Sequence, residues 1–111
     1  MSEMMADTEN EKPRYARVWK GKTRKEDFEA YSRYLHDFGV EKIRGIPGNI
    51  KVEMFRALKE DHAEFMVISY WPSLEAIRAF SGEDVTRTRH LERDPEFLLE
   101  LPTFVELFEL Y

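Results

Sequence analysis

The chain is 111 residues long, with 17 Lys and Arg against 22 Asp and Glu and a formal net charge of −5. That length suits one domain, and 42% hydrophobic with 14% aromatic residues is enough apolar material for a core, which a disordered chain lacks. With no cysteine there is no disulfide framework, thiol nucleophile or thiolate metal site, and the acidic balance argues against non-specific nucleic-acid binding.

Residues 1–13 read as a flexible acidic tail. Glu3, Asp7, Glu9 and Glu11 are there without a periodic apolar pattern, and they account for more than half of the net negative charge. No basic residue precedes an apolar run, so no secretory leader is expected. No apolar stretch approaches ~18 residues, so neither is a membrane span. Lack of cysteine fits a reducing, cytoplasmic compartment. Residues 14–111 are the expected domain.

Tyr15 to Lys20 is short, rich in aromatic and β-branched residues and closed by Gly21, which predicts a strand. Thr23-Arg24-Lys25-Glu26 has the form of a capping box. The helix it opens carries Phe28, Tyr31, Leu35 and Phe38 on one stripe, with Gly39 as the terminator. Arg44-Gly45-Ile46-Pro47-Gly48 is a breaker cluster. Strands are expected over Asn49–Leu58 and Glu64–Trp71, joined as a hairpin by the polar turn Lys59-Glu60-Asp61-His62. Ser73 caps a second helix, Leu74–Ser81. Short helical stretches follow over Asp84–Leu91 and, behind Asp94-Pro95, over Pro95–Glu100. Thr103–Tyr111 closes the chain as a strand.

This β-α-β-β-α-(α)-β order is the split βαβ, ferredoxin-like pattern. It is an α+β fold with a four-stranded antiparallel sheet and helices on one face. Both faces of that sheet read as apolar. Phe65, Val67 and Trp71 alternate with Met66, Ile68 and Tyr70, while Phe104, Phe108 and Leu110 alternate with Val105, Leu107 and Tyr111. Helices of one chain cover a single face. An open apolar face predicts a homodimer through the sheet faces. The competing cover is the acidic tail, which has few large apolar groups.

Ser69-Tyr70-Trp71-Pro72-Ser73-Leu74-Glu75-Ala76-Ile77-Arg78-Ala79-Phe80 resembles the strand-to-helix signature of the antibiotic biosynthesis monooxygenase superfamily. His90, the Asp94-Pro95 turn and the order of elements from Tyr15 to Tyr111 are similar too. The resemblance implies a dimeric α+β barrel. It also implies a monooxygenase-type oxidoreductase, acting without a cofactor on an aromatic or quinol-like molecule. One branch of that superfamily degrades haem with an Asn on the first strand, a Trp and a His. By spacing, His90 falls at the histidine position, Phe80 stands at the tryptophan position, and Tyr15–Lys20 contains no Asn. Haem binding through His90 and non-catalytic binding of a metabolite by a dimer are the alternative functions.

His90 lies among Arg87, Arg89 and Arg93, a basic stretch suited to an anionic substrate, or equally a solvated helix face. His90 is the candidate base or hydrogen-bond donor, and Arg89 and Arg17 are the candidate stabilisers of developing negative charge. Arg17 sits between aromatic residues on the first strand, so it lines a polar cavity or pairs with Glu106 or Glu109 across a dimer. Trp71 and Phe80 are the candidate pocket walls. Trp19 is a candidate stacking platform, and Tyr31 a hydroxyl facing the cavity; core packing is the competing role for Trp71, Trp19 and Tyr31. His36 and His62 read as surface residues. The three histidines are too scattered to predict a metal site.

Overall fold

A computed structural model of the chain describes residues 12–111. The tail expected over residues 1–13 lies outside the described residues as far as residue 11.

Strand β1 spans Tyr15–Thr23 and runs straight through Gly21. That glycine is a site of close approach, because the Trp19 indole lies over it. A Cβ on Gly21 would sit 2.5 Å from Trp19 Cη2. Extending the strand carries Thr23 into the sheet, where its hydroxyl is buried and donates to the Arg24 carbonyl at 2.9 Å. The expected capping box therefore does not form. Lys25–Asp27 makes a 3₁₀ turn instead, held by an Arg24–Asp27 ion pair of 2.9 Å.

Helix α1 (Phe28–Tyr34) continues into a π-helical turn (Leu35–Val40) and then α2 (Glu41–Arg44). The wider turn inserts a residue into the 3.6-residue period. Tyr31 and Leu35 are buried as expected, but the next inward positions are Gly39 and Val40. Phe38 swings out to 61% exposure and packs on Tyr34. Gly39 is thus an interior residue of the helical rod rather than its end.

Strands β2 (Lys51–Leu58) and β3 (Ala63–Trp71) form the expected hairpin, with Met54 opposite Val67. Helix α3 spans Leu74–Ser81. The Ser73 hydroxyl accepts the Ala76 N–H at 3.1 Å, and Gly82 ends the helix at φ 91°. Asp84–Leu91, expected to be helical, is irregular. Asp84 Oδ1 accepts from both the Thr86 N–H and hydroxyl, an Asx turn, and Thr88 and Thr86 pair through their backbones with Thr103 and Val105. The β-branched threonines favour this extended path. Helix α4 is short, Asp94–Phe97, and β4 contracts to Glu106–Glu109.

The sheet order is β2-β3-β1-β4, antiparallel throughout, as the split βαβ pattern requires. Along β3, Ala63, Phe65, Val67, Ser69 and Trp71 are buried. Under the helices, the Tyr31 ring meets Phe65 edge-on at 5.0 Å. Met66, Ile68 and Tyr70 alternate onto the opposite face, where register adds Val18 and Phe108, the latter 53% exposed. A cleft of about 560 Å³ runs beside that face, bordered by Lys20, Phe55, Glu64 and Met66. Among the described residues, no helix is long and apolar enough to cross a membrane.

Candidate functional site

Between β1 and the helical layer lies a cavity of about 90 Å³. β1 contributes Arg17 and Trp19, α3 contributes Phe80, and the irregular segment contributes Arg89 and His90. Five of the seven residues singled out from sequence therefore meet at one place. The other two stand behind it. Trp71 is wholly buried, donates Nε1–H to Ser69 Oγ at 2.9 Å, and stacks on Phe80 with centroids 5.9 Å apart and planes at 16°. Tyr31 is also wholly buried and donates its hydroxyl to Asp94 Oδ1 at 2.8 Å.

Arg17 is only 5% exposed, although a strand arginine usually reaches solvent. Strand alternation points it at the helices, and two backbone carbonyls receive it there. Nε–H donates to the Val85 oxygen at 2.9 Å and Nη2–H to the Arg87 oxygen. Its guanidinium lies 5.1 Å from the Phe80 ring centre. Glu106 sits opposite Val18, on the other face, and reaches Lys20 at 3.5 Å. Burial, and then the neighbouring Arg89 charge, lower the Arg17 pKa to about 10, with Asp84 acting in the opposite sense.

Arg89 donates to the Phe80 carbonyl and lies 5.9 Å from the same ring centre. His90 is exposed and forms part of the cavity lining. Two further lining groups escape the sequence reading. Lys42 comes from α2, past the glycine expected to end the helix. Asp94 looks like a helix cap, yet it is 2% exposed, and its Oδ2 accepts the Leu91 N–H at 2.9 Å. The clue to Asp94 was Tyr31, since a phenol on an apolar stripe needs a buried acceptor. Burial, followed by the Asp94 charge, holds the Tyr31 phenol well above its usual range, so it remains a donor.

His36 and His62 lie away from the cavity. His36 contacts Asp37 and Glu41 at 3.1 and 3.4 Å. His62 lies between Asp61 at 2.6 Å and Glu64 at 2.9 Å, and these bonds, Glu64 foremost, raise its pKa. Among the described residues, no cluster of three His, Asp or Glu is arranged to hold a metal ion.

No curated protein matches the chain. Among solved structures, it resembles the crystal structure of PA3566 from Pseudomonas aeruginosa. The TM-score is 0.59 and the identity 18%, over 90% of this chain and 94% of that one. The likeness is one of fold. In sequence, the antibiotic biosynthesis monooxygenase family matches over residues 15–90, from the first strand to the histidine at the cavity. The chain belongs to the antibiotic biosynthesis monooxygenase family.

Proposed function

We propose that the protein is a small cofactor-independent monooxygenase acting on an aromatic or quinol-type molecule, and that it works as a homodimer joined through its open sheet faces. The observation that carries this reading is the convergence of Arg17, Arg89, His90, Trp19 and Phe80 on one cavity. His90, being exposed, is placed to take a phenolic proton. Arg89 balances the phenolate oxygen at the cavity, whose apolar walls are Trp19 and Phe80. A carbon of that electron-rich ring then bonds dioxygen. Loss of the proton on the same carbon breaks the O–O bond, leaving a new carbonyl and water. One oxygen atom ends in the product and one in water. All the electrons come from the quinol, so no further reductant enters the balance.

Haem does not suit this cavity. The volume is about 90 Å³, far below a macrocycle, and Phe80 fills the tryptophan position against Trp71. The oxygenase reading is tested with an oxygen electrode and a panel of benzene and naphthalene diols. Uptake above autoxidation is expected, falling roughly 100-fold in His90→Ala. No uptake with any diol refutes the reading. The dimer is tested by sedimentation velocity. Ile68→Glu on the open face is expected to dissociate it, and a monomeric parent chain at micromolar concentration refutes it.

A further inference from the structure

Resting on the reading of this cavity as the substrate site, we propose that it receives an anionic head group, a carboxylate or enolate oxygen. Arg89 binds that group beside Arg17, and the organic body of the ligand stays outside at the His90 rim.

The first argument is charge. Arg17, Lys42 and Arg89 line the cavity against one carboxylate, Asp94. Both Asp94 oxygens are already engaged, by the Tyr31 hydroxyl and the Leu91 N–H. Among the described residues, none of the three cations forms an ion pair with a carboxylate. Two guanidinium groups share the Phe80 ring, at 5.1 and 5.9 Å from its centre. The Arg89 charge acts unfavourably on Arg17, with Asp84 acting in the opposite sense, and a bound anion relieves that repulsion further.

The second argument is donor capacity. Arg17 spends two of its donor nitrogens on the carbonyls of Val85 and Arg87. Arg89 uses only Nη1, on the Phe80 carbonyl. Its Nε and Nη2 are without a partner among the described residues, and that edge matches the two oxygens of a carboxylate.

The third is size. The volume of about 90 Å³ is smaller than the ~150 Å³ cavity that accepts benzene. A head group enters; an aromatic ring does not.

The test uses two quinols differing by one carboxylate, 2,5-dihydroxybenzoate and hydroquinone, titrated into the full chain. Heteronuclear NMR follows the Trp19 indole and the Arg89 amide. The acid is expected to bind at least about tenfold more tightly, as charge-assisted bonds to Arg89 imply. That ratio shrinks with added salt, collapses in Arg89→Gln and survives in part in Arg89→Lys. Equal affinities, an unchanged ratio in Arg89→Gln, or no binding of either quinol overturns the inference. Oxygen uptake is scored separately. A preference for the acid without uptake leaves the anion site standing and removes the oxygenase. Equal uptake of both quinols with equal KM does the reverse.

Discussion

Tyr31→Phe removes one oxygen from the core and leaves every carbon in place. The ring keeps its contacts with Phe65 at 5.0 Å and Phe97 at 5.2 Å, so packing is preserved. What is lost is the 2.8 Å bond to Asp94 Oδ1, a carboxylate that is 2% exposed and has no solvent to turn to. A hydrogen bond to a charged group contributes about 1.5–3 kcal/mol, and stranding a buried carboxylate oxygen places this case in the upper half of that range. The expected destabilisation is therefore about 2.5 kcal/mol, or a fall in Tm of roughly 10 °C for a chain of this size. Urea unfolding followed by circular dichroism, at matched protein concentration, measures it as a lower midpoint at constant slope. Asp94→Ala provides the control. Once the acceptor is gone, adding Tyr31→Phe costs nothing further, because the hydroxyl is already an orphan. A loss below about 0.5 kcal/mol, or two additive losses, would refute the assignment of this bond as a structural tie.

Two further predictions concern the surroundings of the cavity, and a third concerns His62 at the hairpin turn. Arg17→Met strands the Val85 and Arg87 carbonyls, so hydrogen exchange is expected to accelerate across residues 84–90 while β3 keeps its protection; unchanged exchange there contradicts the clamp. Thr88 buries a hydroxyl that finds no partner among the described residues, so Thr88→Val is expected to stabilise the protein by about 1 kcal/mol in the same urea assay. His62 has a raised pKa, so its bonds to Glu64 and Asp61 favour folding fully below the unfolded value near ~6.5, and that contribution is lost as pH rises through the folded pKa. Its NMR titration is expected above ~6.5, and the stability gap between parent and His62→Gln closes at alkaline pH; a gap that widens with pH reverses the sign and refutes the assignment.

What the sequence discloses follows from which signals are local. Ser73 and Gly82 mark both ends of α3 because a cap and a positive-φ stop act within a residue or two of the boundary. The order of elements and the two-sided apolar pattern are legible because breakers and strand alternation need no partner to be seen. The π-helical turn is not legible. A 3.6-residue template extends the Phe28 stripe to Phe38, and only the packing of Gly39 and Val40 reveals the added residue. The segment after Gly82 misleads for another reason. Its helical pattern competes with backbone pairing to Thr103 and Val105, which no local window contains. The site divides the same way. Arg17, Trp19, Phe80, Arg89 and His90 carry their own chemical signals. Asp94 is disguised as a cap, and its partner Tyr31 lies 63 positions upstream.

The Arg17 clamp ties residues 68 and 70 positions apart, and the segment it grips is tethered in turn to the stretch leading into β4. Closing so long a loop carries an entropic cost that is recovered only once both ends are ordered, and contacts of such separation form slowly. The β2–β3 hairpin can zip up by itself, whereas the cavity beside Arg17 takes shape only after the segment carrying Val85 and Arg87 has docked back onto β1.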